Sequence, residues 1–233
     1  MRLRWVAAGT MLLVAATAIA EDAAPKKALT EKKDRISYSI GMDIGRNLQR
    51  QPFEVDPELL SRGIRDVFAG GETLLTEEEQ KQTLADLQKE LMAKQREHVR
   101  QMMEKNRKEG EEFLAANAKK EGVITLPSGL QYKVLKSGNG PSPTLNDTVE
   151  TNYRGTLIDG TEFDSSYKRG QPATFPVNGV IEGWKEALQK MKVGDKWQLF
   201  VPANLAYGER GAGRDIGPNQ ALIFEVELLG IKK

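Results

Sequence analysis

The sequence contains no cysteine and a single histidine. Disulfides, thiolate metal sites and cysteine nucleophiles are excluded on that count alone, and so are Cys/His zinc clusters. His98 stands in a densely charged stretch and reads as a solvated side chain. It leaves no Ser-His-Asp triad to be built in the rest of the chain. Neither sign of charge is in excess: 34 Lys and Arg stand against 33 Asp and Glu. A near-neutral chain lacks the basic footprint of a nucleic-acid or anionic-membrane partner. Long apolar runs are scarce as well. The one present covers residues 6–19, broken only by Gly9, Thr10 and Thr17. With Arg2 and Arg4 before it, Ala18-Ile19-Ala20 at its end and Glu21-Asp22 after it, the run has the form of a secretory leader. It is too short and wrongly flanked for a membrane span. Cleavage near Ala20 would leave 32 basic against 33 acidic side chains, a formal charge of −1. The expectation is an exported, periplasmic protein with no stable membrane insertion, held together by its core alone.

Residues 21–33 are charged and rich in Ala, Pro and Lys, a composition that predicts a disordered lead-in. Helical periodicity then sets in. Ile36, Ile40, Ile44 and Leu48 recur every four residues, with Gly41 and Gly45 on a neighbouring stripe. Glycine costs about 1 kcal/mol relative to alanine inside a helix, so that stripe suggests the close approach of another helix. A second helix follows Pro57, with Leu59, Leu60, Ile64, Val67 and Phe68 as its apolar face and Gly70-Gly71 at its end. Thr76-Glu77-Glu78-Glu79 is a capping box opening a long helix, in which neither proline nor glycine occurs until Gly110. Leu84, Leu87 and Leu91 give its first half an apolar line. Its second half is nearly all charged, with Val99, Met102, Met103, Phe113 and Leu114 as exceptions. Such a helix has little to bury and reads as a stalk between two bodies. The divisions expected are a helical part over 34–75, the connecting helix over 76–121 and a further domain over 122–233. Three helices bury little by themselves, so the expectation is a homodimer sharing their apolar faces.

After Gly122 the period changes from four to two. Leu130, Tyr132 and Val134 alternate, as do Val149, Thr151, Tyr153 and Leu157. Trp197, Leu199 and Val201 follow, then Leu222, Phe224, Val226 and Leu228 set against Ile223, Glu225 and Glu227. Asp159-Gly160 is a hairpin signal. One short helix, from about Ile181 to Met191, presents Trp184, Ala187, Leu188 and Met191 at helical spacing. The fold class is therefore α+β: an all-α amino-terminal part with a long helix, then an antiparallel sheet curved around one short helix. The stretch Gly211-Ala212-Gly213-Arg214-Asp215-Ile216-Gly217 misses the dinucleotide fingerprint by one residue and lacks a strand–turn–helix setting, so it reads as a flexible loop. What remains as a site is a concentration of aromatic and aliphatic side chains around a few polar ones. Every Tyr and Trp except Trp5 and Tyr38 lies beyond residue 130.

Five motifs carry a resemblance. Tyr153-Arg154-Gly155-Thr156-Leu157, the run from Asp159 to Ser166, Val180-Ile181-Glu182-Gly183-Trp184, Ala206-Tyr207-Gly208 and the run from Leu222 to Leu229 together resemble the successive signatures of FKBP-type prolyl isomerases, in the right order from residue 153 to residue 229. The layout of leader, helical part, long helix and carboxy-terminal domain resembles the macrophage infectivity potentiator branch of that family. The resemblance implies peptidyl-prolyl cis/trans isomerisation, with Tyr153, Phe163, Asp164, Phe175, Val180, Ile181, Trp184, Tyr207, Ile216 and Phe224 lining a proline pocket. Trp184 would be its floor, and Asp164 would face the carbonyl near the twisting bond. The Tyr207 hydroxyl and the Ile181 N–H would hydrogen-bond a bound peptide or a macrolide such as rapamycin. Catalysis would fall to Phe163, Asp164, Trp184 and Tyr207, with no metal, cofactor or covalent intermediate. Substrates would be unfolded or proline-containing polypeptides. Two departures bear on substrate and macrolide preference. Ala173 stands where many members carry a second pocket phenylalanine, and the loop after Tyr207 has Glu209, Arg210 and Arg214 where some members have a histidine. The alternatives are a client-binding chaperone in which isomerisation is secondary, and an inactive domain serving as a ligand receptor.

Overall fold

The computed structural model describes residues 29–232. The leader expected over 1–20, and 21–28 of the expected lead-in, lie outside the described residues. The chain forms two compact units, one ending at Leu74 and the other beginning at Leu75.

The first unit consists of α1 (Lys32–Gln49) and α2 (Pro57–Ala69). α1 starts inside the segment expected as lead-in. The side chain of Asp56 caps α2 by accepting from the N–H groups of Glu58 and Leu59 at 2.8 and 3.1 Å, and Gly70 closes it in the left-handed conformation. Neither helix has a buried residue. Ile36, Ile40, Ile44, Leu59, Ile64 and Val67 are exposed in the single chain, and Phe68 is 90% exposed. Side chains built at Gly41 or Gly45 would meet nothing within 4 Å, so among the described residues those glycines have no close helix neighbour.

The second unit opens with α3 (Glu77–Asn117). Its capping box forms as expected, with Glu79 Oε2 accepting from the Thr76 N–H at 2.8 Å and Thr76 Oγ1 accepting from the Glu79 N–H at 3.2 Å. Up to about Arg100 the helix runs with its side chains largely in solvent. Ion pairs one turn apart support it, such as Glu90–Lys94 at 2.7 Å and Glu97–Arg100 at 2.9 Å, each worth a few tenths of a kcal/mol. Its last turns differ from the reading as a stalk. Gly110 and Asn117 are buried, and Phe113 packs on Phe200 with ring centroids 6.0 Å apart. Asn117 Nδ2 donates to Gln131 Oε1, and Gln131 Nε2 donates to the Leu114 carbonyl. The carboxy-terminal half of α3 is thus bound to the sheet that follows it.

That sheet has seven antiparallel strands: β1 (Val123–Thr125), β2 (Gln131–Lys136), β3 (Thr148–Leu157), β4 (Glu162–Ser165), β5 (Ala173–Pro176), β6 (Lys196–Val201) and β7 (Leu222–Lys232). The spatial order is β1-β2-β6-β7-β3-β4, with β5 also pairing with β3. β3 is long enough to serve both partners on one edge, taking β5 along Thr148–Thr151 and β4 along Arg154–Thr156. The hairpin marked by Asp159-Gly160 joins β3 to β4, with Gly160 at φ 91° and Asp159 Oδ1 accepting from the Thr161 N–H at 2.8 Å. Residues 149, 151, 153, 155 and 157 of β3 are buried in strict alternation. Between β4 and β5 lies α4 (Ser166–Arg169), a single turn, and between β5 and β6 lies α5 (Glu182–Leu188). Trp184, Ala187, Leu188 and Met191 join Leu199, Val201, Leu222, Phe224 and Val226 in one buried cluster. Among the described residues no helix is long and apolar enough to cross a membrane.

The contact of α3 with the sheet is tight at one point, where a side chain on Gly110 would approach the Ala221 Cβ to 3.1 Å. Gly110→Val therefore lowers stability by about 1–3 kcal/mol through overpacking, against a gain of a few tenths from valine's better helix propensity. Urea unfolding followed by the fluorescence of Trp184 and Trp197 checks this, and an unchanged midpoint would show that the helix is not held there.

Candidate functional site

The indole of Trp184 sits in the first turn of α5 and is 4% exposed. Its depth follows from the residue before it. A side chain at Gly183 would lie 2.6 Å from Val201 Cγ1, so only glycine lets the start of α5 come down onto β6. Three rings stand edge-on to the indole: Tyr153 at 5.3 Å and 87°, Phe175 at 5.9 Å and 85°, and Phe224 at 5.3 Å and 85°. Phe163 extends the cluster by meeting Phe224 at 5.6 Å and 84°. A second glycine makes room for that pair, since a side chain at Gly155 would come within 2.6 Å of the Phe163 ring and 3.0 Å of Phe224. Edge-to-face pairs of this kind contribute roughly 0.5–1.5 kcal/mol each beyond their area burial. The Trp184 N–H is buried and meets no acceptor among the described residues.

A polar triad borders these rings. The Tyr153 hydroxyl donates to Asp164 Oδ2, and the Arg169 guanidinium is ion-paired with Asp164 Oδ1. Arg169 Nη2 also donates to the Tyr153 oxygen at 2.8 Å, and the Ser165 N–H donates to Asp164 Oδ1 at 2.8 Å. Arg169 lies 5.3 Å from the centroid of the Tyr153 ring. Ser165 and Ser166 build the turn that delivers it. Ser165 caps α4, and the fully buried Ser166 Oγ accepts from the Tyr153 N–H at 2.9 Å.

These contacts set the protonation states. Burial alone would raise the Asp164 carboxyl, but the hydroxyl of Tyr153, the charge and hydrogen bond of Arg169 and the Ser165 N–H outweigh it and lower the pKa. The Tyr153 phenol is pushed up by burial and by its bond to Asp164. Tyr207 is pushed up by burial and by the charge of Asp164, which puts its phenol within electrostatic reach of that carboxylate. Asp164 is thus an anion and both tyrosines are neutral across the physiological range.

Of the remaining residues singled out in the sequence, Ile216 is buried in the core cluster, and Phe175, Val180 and Ile181 pack against it partly exposed. Ile181 is the N-cap of α5, its carbonyl accepting from the Trp184 and Lys185 N–H groups at 2.9 and 3.0 Å. Tyr207 is 41% exposed. The segment read as a flexible loop ties back on itself, with the Ala212 N–H donating to the Ile216 carbonyl at 2.9 Å and the reverse bond at 3.2 Å. Sequence reasoning missed Arg169. The signal was available: two serines, then a basic pair, then Gly170 at φ 73° delimit a one-turn helix starting next to Asp164. Among the described residues no group of His, Cys, Asp and Glu has the arrangement to hold a metal ion.

Comparison with known proteins bears on this geometry. Residues 140–229 match the family described as FKBP-type peptidyl-prolyl cis-trans isomerase, and residues 33–134 match the domain amino terminal to it. The chain is 48% identical to the outer membrane protein MIP of Legionella longbeachae over 233 residues, all of this chain and 99% of that one. It is 50% identical to the peptidyl-prolyl cis-trans isomerase Mip of Coxiella burnetii over 205 residues, covering 88% of this chain and 89% of the relative. Among solved structures, the crystal structure of FkpA from Escherichia coli superposes with a TM-score of 0.74 at 38% identity, covering 88% of this chain and 99% of that one. The aromatic cluster and its polar border thus lie within the matched catalytic region, and the chain belongs to the FKBP-type peptidyl-prolyl cis-trans isomerases.

Proposed function

We propose that this isomerase turns Xaa-Pro bonds in the aromatic bowl above Trp184, and that it does so for exported polypeptides in the periplasm. The observation that carries the reading is the buried indole with three rings set edge-on around it. A pyrrolidine ring laid on that floor is gripped by apolar walls and meets no nucleophile. An Xaa-Pro bond isomerises over a barrier of roughly 20 kcal/mol because amide resonance holds it planar. Resonance also places negative charge on the carbonyl oxygen. A dry apolar pocket disfavours the charge-separated form, and the Asp164 carboxylate, held anionic by Tyr153 and Arg169, repels further negative charge on a nearby oxygen. Both effects favour the twisted bond over the planar one, which is the differential binding catalysis requires. Trp184, Phe163, Asp164 and Tyr207 act on the bond in this reading. Tyr153, Phe175, Val180, Ile181, Ile216 and Phe224 hold the substrate, with the Tyr207 hydroxyl and the Ile181 N–H bonding the peptide on either side.

The apolar faces of α1 and α2, left without a buried residue in the single chain, support a homodimer joined through these helices. Each large apolar side chain covered by a second copy contributes about 1.5–3 kcal/mol, which helices of this length need in order to persist. The same faces are what a chaperone for unfolded clients would offer, and a stable dimer that covers them leaves the isomerase reading as the leading one.

Four outcomes follow. Exchange spectroscopy on a short Xaa-Pro peptide shows acceleration that rapamycin abolishes; a folded protein without acceleration would refute the assignment of the bowl. Trp184→Ser and Phe163→Ser each reduce kcat/KM by about 10-fold or more, in line with the loss of contacts made at the transition state, while the domain stays folded. Between about pH 5 and 9 kcat/KM is flat, because Asp164 titrates below that window and Tyr153 and Tyr207 above it; a bell-shaped profile centred near neutrality would demand a titrating group that this site does not have. The sedimentation mass of the mature protein is that of two chains, and a mass of one chain would end the dimer reading.

A further inference from the structure

We infer that Asn106 of α3, together with Asn219, positions the loop that carries Tyr207 and Ile216, so that the wall of the substrate bowl is held by the long helix. The inference rests on the assignment of Tyr207 and Ile216 to the bowl. Tyr207 and Ile216 bound a loop whose two ends return to one place. Ile216 is followed directly by Gly217. Tyr207 is followed by Gly208, whose carbonyl accepts from the Asn219 N–H at 2.8 Å. Both ends therefore meet in the short segment 217–221, and that segment lies against a single strip of α3.

The strip consists of Met102, Met103, Asn106 and Gly110. Asn106 Nδ2 donates to the Pro218 carbonyl at 2.7 Å across a sequence separation of 112 residues. Asn219 Nδ2 donates to the Met103 carbonyl at 3.5 Å, a longer and weaker contact. A side chain at Gly217 would lie 3.3 Å from Asn106 Nδ2, a tight contact, and 3.6 Å from Met102 Sδ, so Gly217 lies directly beneath the helix. Gly110 faces Ala221 at the far end of the strip. Asn219 itself stands at φ 55°, the sole described non-glycine residue with positive φ, a conformation asparagine tolerates better than most. Its backbone is turned so that its N–H serves Gly208 while its side chain serves the helix.

Four contacts with α3 and one backbone bond thus tie down the two ends of a loop in which Glu209, Arg210 and residues 213–215 are exposed and Ala212 packs on the core. A hydroxyl that must meet a peptide carbonyl needs placing to about 0.5 Å. Asn106 touches neither the bowl nor the substrate. It acts through Pro218 and Asn219, as a positioning residue.

The test uses the full chain. Asn106→Ala raises KM for an Xaa-Pro peptide about 5- to 10-fold with kcat within about twofold, the pattern of lost binding common to ground and transition states. In the same variant the ring signals of Tyr207 in NMR spectra of tyrosine-labelled protein shift and broaden, while those of Tyr153 stay in place. Asn219→Gly keeps the left-handed backbone and removes only the side-chain bond to Met103, and it changes KM and the Tyr207 signals in the same direction by less. Arg107→Gly weakens the same turn of the helix from its exposed side and leaves both readouts as in the parent. Tyr207→Phe marks the site itself by raising KM. A wild-type KM in Tyr207→Phe would overturn the site assignment and this inference with it. A raised KM there beside wild-type KM and Tyr207 signals in Asn106→Ala would overturn this inference alone, as would an equal loss in Arg107→Gly.

Discussion

The seat of Trp184 places two demands on the sheet: the indole must be buried enough to be rigid, and in the function proposed above it must also serve as the floor for a bound proline. Burial is secured by α5 lying directly on β6, which the absence of a side chain at Gly183 permits beside Val201. The rings around it stand at 85–87° to the indole plane, and in the proposed reading they are the walls of the bowl. Gly155 belongs to the same arrangement, because any larger residue at that point of β3 would displace Phe163 and Phe224. The site is thus shaped by where the backbone carries no side chain as much as by the rings themselves.

Electrostatics at the site serve placement and not proton traffic. Asp164 is held by three groups, the Tyr153 hydroxyl, the Arg169 guanidinium and the Ser165 N–H. Such a carboxylate is a fixed negative charge rather than a base, and its tyrosine neighbours are held neutral by their burial and by the negative charge of Asp164. The arrangement suits a reaction in which no bond to hydrogen forms or breaks and only the distribution of charge along an imide changes. It also couples three chain segments, since β3 supplies Tyr153, β4 supplies Asp164 and α4 supplies Arg169.

Much of this was legible in the sequence because the sheet obeys a strict period. The alternation along β3 and β7, the helical spacing of Trp184, Ala187, Leu188 and Met191, and the Thr76–Glu79 capping box all reappear in the structure. The docking of α3 was not legible, and the reason is physical. Its docked strip runs through Met102, Met103, Asn106, Gly110, Phe113 and Asn117, of which Gly110 and Asn117 are buried, a spacing of three and four that is regular enough for a helix face. Two of those residues are amides and one is glycine, so a search for apolar periodicity passes over them. Amides can face a sheet here because their partners, the Pro218 carbonyl and Gln131, lie more than ten residues away in sequence and leave no local trace. Arg169 escaped for a related reason: its role depends on the turn that Ser165 and Ser166 build, not on its own neighbours.

β7 lies between β6 and β3 in the sheet and carries Phe224 into the aromatic cluster. It is also the last strand in the chain order. Its partner β3 begins some seventy residues earlier, so the central pairing of the sheet closes a long loop, a slow step compared with forming helices whose contacts are local. During synthesis the helices can therefore form well before the sheet does. A nascent chain that has not yet yielded residues 222–232 has neither the middle of its sheet nor one wall of its bowl, and it carries the strands on either side of the gap with open edges. The sheet is consequently completed late in the folding of each molecule, when the final strand pairs between β6 and β3.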